Sequence, residues 1–290
     1  MYTEAMSLTA TRHRTADVGG LTTHYLEAGA GEPLVLLHGG EFGASAELGW
    51  ERVIGLLAAR YRVLAPDLLG FGGSAKVVDF ADGRGLRIRH VARFCGILGI
   101  ESAHFAGNSM GAVMLLTDAA SGEPVLPAKS LVAICGGGEI LANEHVSALY
   151  DYDGTLPAMR RLVAALFHDP AYPDDEAYVR RRWEASIAPG AWEAVAAARF
   201  RRPGRPPSSP QSTRAADPRY QRIGVPALLI EGGCDKLKPA GWADGIARQL
   251  PDGLAVTVDL AGHCPQIERP DVVADLMLGF LSTNHIGRTQ

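Results

Sequence analysis

A short apolar run, HFAG at 104–107, leads without a break into Gly107-Asn108-Ser109-Met110-Gly111 and then into the apolar stretch AVMLL at 112–116. Few folds accommodate this junction. Glycines two residues either side of a serine permit a sharp, strained strand-to-helix turn that pushes the hydroxyl out at the carboxyl end of the strand. The helix that follows aims its first amides at any negative charge developing on an oxygen held there. Ser109 is therefore a candidate nucleophile, and the plainer alternative is a serine that only caps the helix.

The surrounding chain has the alternation that such a turn requires. Short apolar runs trade places with longer amphipathic stretches, the pattern of βαβ units on a parallel sheet. Strands are predicted at 21–27, 33–38, 62–66, 104–107, 130–135, 225–233 and 254–260, with helices from about Leu48 to Arg60, Leu86 to Leu98, 239 to 250 and 271 to 282. The alternation breaks near residue 139. From there to about 216 the chain holds aromatic, Arg-rich helical pieces such as PAMRRLVAALFHD and DDEAYVRRRWEAS, and then RRPGRPPSSPQSTR, which reads as an exposed loop because proline breaks both ladders and helices. The expected organisation is an α/β core in two parts, 1–138 and 217–290, interrupted by a helical lid at 139–216.

A serine hydroxyl needs a base, and the base needs a carboxylate to orient it. His263, in AGHCPQIERP, follows the last predicted strand, and Asp235, in EGGCDKLKP, follows the strand before it. Position singles His263 out from nine histidines. Glu139 also follows a strand and is the alternative acid. His38-Gly39-Gly40 is a tight turn after an early strand, where the Gly40 amide pairs with that of Met110 as an oxyanion-hole donor. His38 itself reads as a structural turn residue. Phe42, Tyr150, Phe167 and Trp183 are candidates to line an apolar pocket under the lid, or else they pack the lid internally.

Bulk properties exclude several classes. With 28 basic and 32 acidic residues the formal net charge is −4, which gives no general attraction to nucleic acid or anionic lipid. No apolar run approaches the ~20 residues that span a bilayer, and the N-terminal segment carries no apolar core of a secretory signal. Four scattered cysteines form no CxxC pair, which suits a reducing, cytoplasmic setting. The glycines at 136–138 lack a phosphate-loop spacing and lysine, so nucleotide binding is rejected. A small-molecule substrate is expected, with no metal or organic cofactor.

The segments HGG (38–40), DLLGFGGS (67–74), GNSMGA (107–112), GGCDKLKP (232–239) and AGHCPQIERP (261–270) resemble the α/β-hydrolase superfamily across nearly the whole chain. That resemblance implies a mostly parallel twisted sheet flanked by helices, a lid inserted after the sixth strand of that fold, and the chain order Ser…Asp…His. Within the superfamily the sequence is most similar to the meta-cleavage product hydrolases, which cleave a carbon–carbon bond in carboxylate-bearing vinylogous diketones from aromatic ring fission. The HGG loop followed by FGAS and Trp50, Asn108 before the serine, and RRWEAS carry this likeness. In those enzymes an Arg before a lid aromatic binds the substrate carboxylate, which implies that role for Arg182. The full substrate-binding set so implied is Arg182, Asn108, Phe42, Trp50, Phe167, Trp183 and Cys264, and the family suggests a homodimer or higher homo-oligomer.

The departures concern the pocket. Glu41 and Phe42 stand where the family has a third glycine and a proline, Arg52 where it has an asparagine, and Cys264 where it has a tryptophan. A carboxylesterase or lactonase using the same Ser109, Asp235 and His263 is the competing chemistry. Epoxide hydrolases and haloalkane dehalogenases are disfavoured, since they need an aspartate where Ser109 stands.

Overall fold

The computed structural model describes residues 10–197 and 220–283. Eight strands form one sheet in the order β1-β2-β4-β3-β5-β6-β7-β8. They are β1 (Arg12–Asp17), β2 (Thr22–Ala28), β3 (Pro33–Leu37), β4 (Arg62–Pro66), β5 (Ala103–Asn108), β6 (Ala128–Ile134), β7 (Ala227–Gly232) and β8 (Gly253–Val258). The pairs β1–β2 and β2–β4 are antiparallel, and every other pair is parallel.

The central strands are mostly apolar, and β3 (PLVLL) is apolar throughout, because both faces of the sheet are covered. In β3, Val35 and Leu37 enter one buried cluster with Phe94, Phe105, Met114 and Trp242, while Leu34 and Leu36 enter another with Trp50, Leu57, Val132 and Met277. This period-two division assigns a helical layer to each face. The short helices α1 (Ala46–Trp50) and α2 (Ile54–Leu57) lie on the second face, α3 (Gly83–Ile97) and α4 (Met110–Ala119) on the first. Each fully buried Leu or Val contributes about 1.5–3 kcal/mol relative to an exposed one, so the two layers dominate the stability.

Among the described residues five α-helices lie between β6 and β7: α5 (Glu144–Tyr150), α6 (Leu156–Leu166), α7 (Ala171–Asp174), α8 (Glu176–Ile187) and α9 (Ala191–Ala196). Asn143, Thr155 and Asp175 accept hydrogen bonds from Val146, Ala158 and Tyr178 amides, which is why α5, α6 and α8 start where they do. These helices pack on the core loops through a third apolar cluster that includes Phe42, Met159, Leu162, Phe167, Val179, Cys264 and Ile267. The chain then completes the sheet, adding α10 (Trp242–Ala247), α11 (Pro265–Glu268) and α12 (Pro270–Thr283). The Pro-rich run at 201–214, expected as a loop, lies outside the described residues.

Two expectations need correction. Strand β1 was absent from the predicted elements: five of its six side chains are exposed, so it shows no hydrophobic alternation. Its charged, polar sequence suits an outermost strand that must not pair further. The helix expected from Leu48 to Arg60 is two helices, because the chain leaves α1 at Trp50 and Val53 adopts φ −113° before α2 begins.

Candidate active site

The carboxyl ends of β3 and β5 flank the point where the strand order reverses, the crevice in which open α/β sheets place their ligands. Ser109 sits there, immediately after β5, with φ +50° and ψ −112°. No helix or strand uses that conformation, and it turns the side chain out of the sheet edge. Close packing of the turn needs the two flanking glycines. A Cβ on Gly107 would meet Ala112 N at 2.5 Å, and one on Gly111 would meet the Leu37 carbonyl carbon at 2.8 Å.

From Ser109 a hydrogen-bonded line runs inward. Its Oγ lies 2.9 Å from His263 Nε2, and His263 Nδ1 lies 2.8 Å from Asp235 Oδ2. The other Asp235 oxygen accepts from the Leu237 amide at 2.8 Å. Burial alone would raise the Asp235 carboxyl, but the adjacent His263, the hydrogen bonds and Lys238 outweigh it and hold the group below its ordinary value. The His263 backbone is held on two sides. The His263 amide donates to the Leu166 carbonyl at 2.7 Å, and the Asn108 side-chain amide donates to the His263 carbonyl at 3.0 Å. Glu139 is exposed, so the imidazole is oriented by Asp235 and not by that alternative acid.

Met110 opens α4, so its amide is one of those a helix leaves without an internal acceptor. Gly40 adjoins it: a Cβ there would lie 2.7 Å from Met110 Sδ. His38 is fully buried and donates from Nδ1 to Gly39 O at 2.6 Å while Nε2 accepts from the Leu68 amide at 3.0 Å, a turn-locking role.

The expected substrate-binding residues divide. Phe42 stacks near Tyr152 and Trp192, with ring centroids 4.7 and 6.3 Å away, and Phe167 stacks on Tyr172 at 4.3 Å. Cys264 is buried with them, its thiol 3.8 Å from Asn108 Oδ1, and Trp183 donates to Gly154 O at 2.8 Å. Trp50 does not join this group. It is 0% exposed in the core cluster on the α1, α2 and α12 side of the sheet, because α1 turns its indole inward. Tyr150, at 49% exposure, faces solvent. Arg182 is 1% exposed, and its Nη1 donates at 3.0 Å to Glu41, a partner within the protein.

Sequence reasoning missed Glu41 as that partner, and also Lys238 and Glu268. Lys238 is buried and donates to the carbonyls of Gly137 and Glu139 beside the site, and burial lowers its ammonium to about 8. Glu268 accepts from the His168 and Asp169 amides at 2.8 Å, joining the His263 loop to the inserted helices. Among the described residues, the side chains grouped closely enough to share a metal ion are Cys135, Asp235 and His263, with ligand atoms within 4.8 Å of one another. Burial pushes the Cys135 thiol well above its ordinary value, and its Sγ accepts from the Gly232 amide at 3.3 Å, so it is a poor metal donor.

Fold and site together define a hydrolase of the α/β class. Residues 34–276 match the alpha/beta hydrolase family, and the chain belongs to it. Within that family the chain is 33% identical over 277 residues to the 2-hydroxy-6-oxo-6-(2'-aminophenyl)hexa-2,4-dienoic acid hydrolase of Metapseudomonas resinovorans, covering 93% of this chain and 90% of that protein. It is 30% identical to the 2-hydroxy-6-oxo-6-phenylhexa-2,4-dienoate hydrolase of Burkholderia cepacia, over 97% of this chain and 99% of the other. The crystal structure of a serine hydrolase involved in carbazole degradation superposes with a TM-score of 0.77 at 30% identity, covering 94% of this chain and 100% of that one. Among the described residues no helix is long and apolar enough to cross a membrane.

Proposed function

We propose that this enzyme hydrolyses a carbon–carbon bond in a 2-hydroxy-6-oxo-dienoate, with Ser109 as nucleophile, His263 as general base and Asp235 as its orienting carboxylate. The unbroken line from Ser109 Oγ to His263 to Asp235, at 2.9 and 2.8 Å, supports the serine-hydrolase part of the reading, and the 33% identity to a 2-hydroxy-6-oxo-dienoic acid hydrolase over 93% of this chain favours a carbon–carbon bond over an ester. His263 and Ser109 assist ketonisation of the dienol, and His263 then takes the proton from the attacking hydroxyl group. The oxyanion that forms on the 6-oxo carbon's oxygen is held by the Gly40 and Met110 amides, a contribution worth about 3–4 kcal/mol per donor in such sites. The bond to the neighbouring carbon breaks and that carbon takes up the proton held by His263, leaving an acyl ester on Ser109; water, deprotonated by His263, hydrolyses that ester to release the carboxylic acid and restore Ser109.

In the same reading the segment 139–216, which holds α5 to α9, is a lid over the Ser109 edge, closing a core made of 1–138 and 217–290. Phe42, Phe167, Trp183 and Cys264 supply apolar walls, and Asn108 steadies the floor. Four free thiols fit a cytoplasmic setting, and the family likeness favours a homo-oligomer, which size-exclusion chromatography tests.

The decisive experiment follows bleaching of a yellow 2-hydroxy-6-oxo-6-phenyldienoate beside nitrophenol release from a short ester. Bleaching that disappears in Ser109→Ala is expected. Ester turnover with no bleaching overturns the carbon–carbon reading in favour of a carboxylesterase.

A further inference from the structure

Arg182 and Glu41 are separated by 141 positions and meet as a buried ion pair, with side-chain exposures of 1% and 7%. The pair is built in from several directions. Arg182 Nε donates to the Tyr178 hydroxyl at 2.9 Å, and its guanidinium lies over the Tyr178 and Phe167 rings at 5.3 and 5.7 Å. Gly43, at φ +76°, lets the loop's backbone press against the Arg182 carbonyl, where any Cβ would collide. Burial works against both charges, yet Arg182 holds Glu41 ionised and Tyr178 and Glu41 hold Arg182 protonated.

The pair also borders the reacting groups. Glu41 follows Gly40, and its Oε2 folds over Gly39 into the space a side chain there would fill. That same point lies 3.4 Å from Asn108 Oδ1, the residue before Ser109. A buried guanidinium is by its chemistry a carboxylate-binding fork. In this chain the fork already holds a carboxylate supplied by the protein.

We propose that Glu41 is a specificity-determining residue: it is a resident counter-anion for Arg182, so a substrate carboxylate at this subsite competes with it and is bound more weakly than Arg182 alone would bind it. The proposal rests on the dienoate reading of the site and adds a second carboxylate to it. Replacing Glu41 with Gln retains an oxygen that Arg182 can bond while removing the competing charge. A pair that merely staples the loop to α8 would change the handling of charged and uncharged substrates alike. A competing anion changes their ratio.

The test compares kcat/KM for the phenyl dienoate with that for its carboxyl methyl ester in the wild-type enzyme, Glu41→Gln and Glu41→Gly. The expected result is a rise of about tenfold in the acid-to-ester ratio, carried mainly by a lower KM for the acid. A ratio within twofold of wild type, or one that falls, overturns the proposal. Should neither variant fold, the wild-type enzyme supplies the readout: hexanoate should inhibit ester hydrolysis no better than hexanamide. Tenfold tighter inhibition by hexanoate would show Arg182 free and overturn it equally. A wild-type enzyme that does not bleach the dienolate refutes the carbon–carbon reading, and a bleaching enzyme with an unmoved ratio refutes only the role of Glu41.

Discussion

Asn108 donates its side-chain amide to the backbone carbonyl of His263 at 3.0 Å, so the residue before the serine holds the residue that holds the serine's hydroxyl. A second bond from the same nitrogen reaches the Ile134 carbonyl at 3.3 Å, at the end of the neighbouring strand. The elbow and the histidine loop are thereby set relative to each other by one side chain. Asn108→Ala removes both bonds, and a misplacement on the order of 1 Å at a reacting pair costs about a hundredfold. Steady-state kinetics should show that loss in kcat, with KM changed by less than about threefold because no substrate-binding group is removed. A loss confined to KM would move Asn108 into direct substrate contact.

Asp235 bears on pH. Its carboxyl is held below the ordinary carboxylate value, so it stays ionised wherever the enzyme is folded at mild pH. The acid limb of the kcat/KM profile therefore belongs to another group. Asp235→Asn should lower kcat by about 10⁴-fold, since the amide favours the wrong imidazole tautomer. A carboxylate depressed in the folded state stabilises it above its unfolded value, about 3.9, and that stabilisation is lost as pH falls through the lower folded value. Melting curves of Asp235→Asn between pH 5 and 3 should accordingly be flatter than those of the wild type.

The pair His24–Asp67 sets a second pH dependence, at 2.8 Å beneath the DLLGFGGS turn. Donating to the Asp67 carboxylate raises His24 despite partial burial, while His24 and the Ala46 and Gly73 amides hold Asp67 below its ordinary value despite desolvation. The raised histidine stabilises the fold fully below its ordinary value of 6.5 and less as pH climbs through the folded value. The melting temperature should decline on the alkaline side of 6.5, and His24→Gln should remove that decline. Asp67→Ala is the harsher change: it orphans the amide that starts α1 and the one that closes the turn, at about 1–3 kcal/mol each.

How much of this could be read from the sequence depended on whether a residue's role is local. The elbow was legible because its glycines, serine and flanking runs all lie within about a dozen positions, and a strained turn admits few residue types. Strands β2 to β8 were legible through their apolar runs, whereas β1, RHRTAD, left no apolar trace of its pairing with β2. Trp50 was expected in the pocket on resemblance, but the side a helix presents is set by packing, and α1 turns its indole into the core. The Glu41–Arg182 pair had no local signature at all. Glu41 showed only as a departure from a glycine-rich loop, and its partner emerged from the way α8 lies across that loop.

Two glycines, Gly107 buried at the elbow and Gly96 exposed on α3, should respond in opposite directions to the same substitution. At Gly107 a methyl group would meet Ala112 N at 2.5 Å and the Gly111 carbonyl oxygen at 2.7 Å, all of it backbone that carries the Ser109 turn. No flexible side chain can yield there, so Gly107→Ala should cost about 3 kcal/mol and most of the activity, because relief requires β5 and α4 to separate. Gly96 lies inside α3 with nothing within 4 Å of its missing Cβ. There alanine only reduces the freedom of the unfolded chain and improves helix propensity, for a gain of about 0.5–1 kcal/mol. Thermal melts should place Gly96→Ala about 1–3 °C above wild type with unchanged kinetics, and Gly107→Ala well below it. A Gly107→Ala protein that melts and turns over like the wild type would mean that strand and helix do not cross as closely as the elbow demands, and the position of Ser109 would need another cause.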